Sequence, residues 1–564
     1  MTRQTSHSLA AVATLVALAA LPLAAQQRAT PATRVAAAIR ADEIWGPLRF
    51  LSDDLLEGRA SSARGGYLAI QYIVSQFMAL GLEPAGENGT YTQPVPIVTL
   101  NPAATLEASA GATPRALRYR DDFVAWSEQV PAPPAQQLPE GETQSLDGSG
   151  ELVFVGFGID APEWRWDDFK GADLRGKILL VLVNDPGLRD STIFRGRVLT
   201  YYGRWTYKLE EAARRGAAGV LLVHNDTMAT YGWQTVLYSW TGDQVRLLKP
   251  NTPLQWAGWI RQDAAAALLR ERGLDLARLM DAAARRDFRP VATGITLRAT
   301  VTSSVRRAPT ANVVARLAGS DPALRDQAVV IGAHWDHLGI GRPVDGDSIL
   351  NGAQDNAAGV GAMLAIADAL VRTGVRPRRS LLFVAFAAEE KGLLGSQAFA
   401  ENPPVPLRDV AAILNIDSPN LWGATRDIGA MGADQSTLGR VFEQAARAEG
   451  LRVTVNQEAP RSGGFFRSDH FPLAKVGVPG LSLETGSDFV GRPPEWARQQ
   501  REEHNRLRYH QPGDEILPWY TTDGALQQAR VFARTALLVG DAREQPAWRP
   551  NSEFRAAGAR RLGR

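Results

Sequence analysis

The chain of 564 residues contains no cysteine. No disulfide can brace it, and a lipoprotein anchor is excluded, because acylation at an export junction needs a cysteine there. It also lacks an excess of either charge: 62 Lys and Arg stand against 60 Asp and Glu. That balance leaves no basic footprint, so no nucleic-acid partner is expected. Long apolar runs are missing as well. The stretch Leu9 to Leu23 is apolar, but its about 15 residues fall short of the roughly 20 that span a bilayer, and no later segment is longer. No membrane span is expected in the mature protein.

What is present describes a globular chain: 45% hydrophobic and 22% charged residues, at a length that favours more than one core. The N-terminus "MTRQTSHSLAAVATLVALAALPLAAQQ" has a cationic start at Arg3, an apolar middle and a small-residue exit at Ala24 and Ala25. It reads as an export signal over 1–25, giving a protein that is periplasmic or secreted and soluble after cleavage. Residues 546–564 end in "RAAGARRLGR" and read as a basic, flexible tail.

Between these ends the periodicity changes twice. In "GGYLAIQYIVSQFMALGLEPAG", Leu68, Tyr72, Ile73, Phe77 and Leu80 recur at helical spacing, with Gly81 as the stop. Pro and Gly enrichment over 131–150 marks a linker or exposed loop. "ELVFVGFGI", "GKILLVLVND" and "AGVLLVHN" then read as strands. From about residue 310 strands and helices alternate, which predicts an α/β domain with a largely parallel sheet flanked by helices.

In that second half several strands end in polar residues. "VVIGAHWDH" ends in His334, Asp336 and His337; "SLLFVAFAAEE" ends in Glu389 and Glu390; "VAAILNIDS" ends in Asp417. Asp355 precedes a helix in "NGAQDNAAGVG", and His510 lies in "RYHQPGDE". The carboxyl ends of strands are where sites assemble in open α/β sheets. Two imidazoles and three carboxylates form a nitrogen and oxygen set suited to zinc. Two such ions would be balanced by three ligand carboxylates and one bridging hydroxide. One carboxylate of the Glu389–Glu390 pair is then free to shuttle a proton.

These blocks, with "RSDHFPLAKVGVP" and "LEGRASSARGGYLAIQYIVSQFMALGLEPAGENGTYTQPVP", resemble the M28 family of zinc peptidases. The resemblance implies a zinc exopeptidase fold and two zinc ions acting on peptides. His334, Asp355 and Glu390 would hold one ion; Asp355, Asp417 and His510 would hold the other. It makes Glu389 the general base, has Asp336 orient His334, gives Tyr509 an oxyanion-donor role and implies a cis peptide between Asp355 and Asn356. His224, His337 and His504 are expected to be structural, and His470 either a pocket wall or structural. "DLRGKILLVLVND" followed by "KLEEAARRGAAGVLLVHN" resembles a protease-associated (PA) domain. The implied organisation is a peptidase domain in two parts, 30–104 and 303–545, around a β-rich PA-like insertion at 105–302. The activity expected is removal of N-terminal residues. A carboxypeptidase or dipeptidase using Arg461 or Arg467 as a carboxylate clamp is the alternative, and a non-catalytic binding protein is disfavoured by the complete ligand set.

Overall fold

The computed structural model describes residues 29–111, 114–131, 142–307, 310–454 and 463–564. The expected export signal and Arg461 lie outside them. Two nine-stranded sheets organise the chain. In the first, the strands Ser380–Phe386, Ala328–His334, Val410–Asn415 and Gly480–Thr485 lie side by side and parallel. Every residue of the first three is buried, as expected of parallel strands covered on both faces. Antiparallel strands Thr310–Leu317 and Asp427–Met431 flank them. The sheet is mixed and its centre parallel.

Helices of small residues bring the covering layer close. Helix Ala358–Thr373 ("AGVGAMLAIADALVRT") is almost wholly buried and packs on helix Ala41–Leu51. At Gly361 a Cβ would stand 2.6 Å from the Ile44 carbonyl oxygen, so this approach requires glycine. Helix Arg64–Ala79 forms where the spacing places it, and Gly81 takes the left-handed φ that ends it. Its buried stripe is Ala69, Ile70, Ile73 and Phe77; Leu68 and Tyr72 are only partly covered.

The second sheet is built between Ile97 and Arg306, slightly wider than the expected insertion. Its long strands Ile97–Ser109 and Val291–Arg306 pair antiparallel. Its core strands Thr143–Phe154, Ile178–Leu182, Gly219–His224 and Trp256–Arg261 are parallel. Part of the expected linker is therefore a strand: Thr143–Phe154 alternates half-buried and exposed positions before entering the core. It falls in the Pro- and Gly-enriched stretch read as a loop, but pairing along Val291–Arg306 overrides composition. A small apolar cluster of Leu199, Phe466, Phe471, Ala474 and Phe554 joins the two sheets.

The C-terminus departs from expectation. Residues 546–564 are folded, with a helix at Arg555–Arg561. Phe554 is buried, Trp548 Nε1 donates to the Gly477 carbonyl (2.9 Å), and Arg561 donates to the carbonyls of Gly477, Leu407 and Val410. The arginines that suggested a solvated tail are used, at Arg561, to satisfy carbonyls at a strand end. Deleting 546–564 should cost about 3–5 kcal/mol from lost burial of Trp548 and Phe554 alone. Thermal unfolding of the truncated and full chains checks this. Among the described residues no helix is long and apolar enough to cross a membrane.

Candidate metal centre

Three of the four parallel strands deliver polar residues to one edge. His334 is the last residue of its strand, Glu389 and Glu390 follow Phe386 by a short turn, and Asp417 follows Asn415. Three non-glycine residues here, Ala388, Ser418 and His510, have left-handed φ of 54°, 49° and 58°. Backbone in that region is costly and persists where surrounding structure holds it, as it does at functional sites. The Asp355–Asn356 peptide is cis, as the resemblance implies.

Asp355 lies at the centre. Its Oδ1 is 3.2 Å from His334 Nε2 and its Oδ2 is 3.4 Å from His510 Nε2. His334 Nε2 also lies 3.5 Å from Asp417 Oδ1, and His510 Nε2 lies 3.0 Å from Glu390 Oε2. Ligand atoms about 2.0–2.1 Å from one tetrahedral zinc stand roughly 3.3–3.4 Å apart, so these spacings fit two such positions sharing one carboxylate. Among the described residues, buried His334 Nε2 and Glu390 Oε1 have no hydrogen-bond partner. Uncompensated polar atoms so placed fit a cation. All five expected ligands converge, but Asp417 lies nearer His334 than Glu390 does, and Glu390 lies nearer His510 than Asp417 does.

The electrostatics follow from crowding acids in a dry site. Burial lifts the Glu389 carboxyl well above the usual carboxylate range, with Asp417, Glu390 and Asp469 adding to it against the opposing pull of His334. Burial works against a charged His334, but neighbouring Glu389, Asp355 and Asp417 outweigh it and raise the imidazole well above its ordinary value.

A second layer of residues fixes these ligands. Asn356 donates Nδ2–H to the Ile416 carbonyl and accepts from the Ser418 amide, tying the Asp355 loop to the Asp417 turn. Asp514 accepts from the amides of Gln354 and Asp355 at 3.1 and 3.0 Å. Ser468 donates to Asp417. The Arg59 guanidinium, fully buried, donates to the carbonyls of Trp335, Leu51, Asn351, Gly352 and Asp355.

Asp336 acts differently from expectation. His334 Nδ1 is 3.1 Å from the Asp336 carbonyl oxygen, while the carboxylate stands 3.9 Å away. That carboxylate instead accepts from Ser61 Oγ and from the Glu389 amide. It positions the segment bearing Glu389. Tyr509 stacks on the His510 ring, centroids 3.9 Å apart, and is half exposed.

Among the remaining histidines, His470 is buried against Phe465 and burial lowers it to about 3, so it is neutral packing. His224 belongs to the second sheet and His504 packs on Trp422. His337, expected to be structural, lies inside the cluster with Asp355 and Glu390.

Residues 312–533 match the family model of Peptidase family M28. This stretch is an M28 peptidase domain. Curated relatives similar to the chain include "Leupeptin-inactivating enzyme 1" of Streptomyces exfoliatus, 28% identical over 36% of this chain and 43% of that protein. A "Probable zinc metalloprotease" of Pyrenophora tritici-repentis is 34% identical over 42% of this chain and 58% of its own length. An "Aminopeptidase" of Pseudomonas aeruginosa strain UCBPP-PA14 is 30% identical over 32% of each. The matches thus span between a third and three-fifths of those relatives, and the M28 domain contains every expected metal ligand.

Proposed function

We propose that the chain is an exported metallo-exopeptidase that holds two zinc ions and removes N-terminal residues from peptides. The observation that carries this reading is the placement of Asp355, whose two oxygens face two different imidazoles at 3.2 and 3.4 Å. One ion would be held by His334, Asp355 and Asp417, the other by Asp355, Glu390 and His510. This division replaces the one that the sequence resemblance implied. The names carried by the relatives, zinc metalloprotease and aminopeptidase, agree with it.

Bound there, zinc supplies Lewis acidity toward a scissile carbonyl and acidifies a water. The chain's own residues supply the rest. Glu389, buried and raised well above the usual carboxylate range, can hold a proton at its carboxyl group. It would take that proton from the attacking water and pass it to the leaving amine. Tyr509 would donate its hydroxyl to the developing oxyanion, held in orientation by stacking on His510. The PA-like insertion would cover the substrate groove through the cluster around Leu199 and Phe466.

Glu389 and Asp417 would offer carboxylates to a free α-amine. N-acetylation removes that charge and leaves buried acceptors without a donor. It is expected to lower kcat/KM about 10–100-fold. One observation favours the opposite polarity. Arg204, at the start of helix Trp205–Arg214, lies beside Arg467, and both act electrostatically on the Tyr509 hydroxyl. Among the described residues the Arg204 guanidinium has no hydrogen bond, and its Nε is buried. A carboxypeptidase would use such cations for the terminal carboxylate. Matched peptides with a free or acetylated amine, and a free or amidated carboxyl, separate the two. Tolerance of acetylation with loss on amidation would establish the carboxypeptidase.

A further inference from the structure

The M28 domain brings one imidazole to the metal centre that the five-ligand set does not use. His337 is completely buried, yet among the described residues neither of its ring nitrogens has a hydrogen-bond partner. Its Nδ1 approaches Glu390 Oε1 to 2.5 Å. That oxygen also lacks a hydrogen bond, so the contact is not directed along a ring N–H. His337, Asp355 and Glu390 each present a ligand atom within 4.8 Å of the others. The ring meets that of His510 edge-on, centroids 5.8 Å apart, which puts it on the Glu390 and His510 side of Asp355.

The backbone makes room for this ring. A Cβ at residue 352 would stand 2.5 Å from His337 Cγ, and Gly352 has a left-handed φ of 57°. The Gly352 carbonyl is in turn held by Arg59 at 2.7 Å. A buried imidazole without a partner is unfavourable. Here one of its nitrogens sits among carboxylates that also need a cation.

We propose that His337 is a ligand of the second metal position. That position would then be held by His337, Asp355, Glu390 and His510, against His334, Asp355 and Asp417 at the first. The proposal rests on the two-metal reading and makes the two positions unequal. Four protein ligands close a zinc site, whereas three leave one position open. The extra imidazole strengthens binding at the second position, and the open position falls to the first, on the side of Glu389. The second ion anchors the site and the first meets the substrate.

Metal titration of the apo protein against a competing chelator tests this without reference to turnover. Wild type is expected to take up two zinc ions, one much more tightly than the other. In His337→Ala the tight event should weaken by at least about 100-fold, beyond the 10–100-fold typical of a residue that only supports a ligand. Cobalt-loaded protein gives a second readout: its visible ligand-field bands should change in His337→Ala and return toward wild type with added imidazole. His337→Gln fills the space and keeps an N–H for Glu390; if it binds both ions as wild type does, His337 only positions Glu390 and the proposal is overturned. Unchanged affinities in a folded His337→Ala overturn it equally, while leaving two metals in place. Uptake of a single ion by wild type would instead remove the two-metal reading itself, and this proposal with it.

Discussion

Glu389→Gln is expected to lower kcat by about 10²–10⁴-fold while KM and zinc content stay near wild type, since a proton shuttle acts in the transition state. The substitution keeps the shape of a side chain whose backbone amide is fixed by Asp336, 3.1 Å away, so the fold has no reason to change. Glu390→Gln provides the contrast. Glu390 lies 3.0 Å from His510 and close to His337, and removing its charge should deplete the metal position they surround. Zinc content and steady-state kinetics on the two variants separate the roles. Equal metal loss in both would mean that Glu389 is a ligand and the base lies elsewhere.

Arg59→Ala should be the most destabilising single change near the site. Burial pushes the guanidinium down only to about 10, so it remains a cation at neutral pH. It serves five carbonyls from three separate segments. Removing one member of such a buried charged network costs about 3–5 kcal/mol, because the partners lose their donors without gaining water. Arg59→Lys should recover only part of it, since an ammonium cannot spread across the same fork of acceptors. Urea unfolding followed by tryptophan fluorescence measures the loss. Zinc retention should fall with it, because the Gly352 and Asp355 carbonyls flank the central ligand. A change of less than about 1 kcal/mol, as for an ordinary surface site, would contradict this account.

The candidate metal ligands were legible because parallel strands buried on both faces read as unbroken apolar runs. A polar residue closing such a run stands out. "VVIGAH", "LLFVAFAAEE" and "VAAILNID" each end this way. The pairing of ligands was not legible, since whether Asp417 or Glu390 faces His334 depends on the turns at Ala388 and Ser418, both at left-handed φ. His337 follows Asp336 directly, and its neighbours gave no sign that its ring turns inward. That turn needs the space left by Gly352, 15 positions away (352 − 337). Arg59 left no local pattern at all: it meets Trp335 across 276 residues. At the C-terminus composition misled, because three arginines among the last five residues hid the inward use of Arg561.

The position of Arg59 also bears on the order in which the molecule assembles. The side chain that clamps the metal loop is synthesised before the entire second sheet, and the loop it clamps comes after it. Within the second sheet the parallel strands from Thr143–Phe154 to Trp256–Arg261 lie side by side in chain order, so this unit can fold from comparatively local pairings. The clamp must wait for closure of a loop of nearly three hundred residues, and such long-range contacts are reached slowly. Pulsed hydrogen exchange during refolding should therefore protect Ile178–Leu182 and Gly219–His224 before the Asp355 segment. Until Arg59 arrives the protein can be largely folded and still have no place to keep its metal.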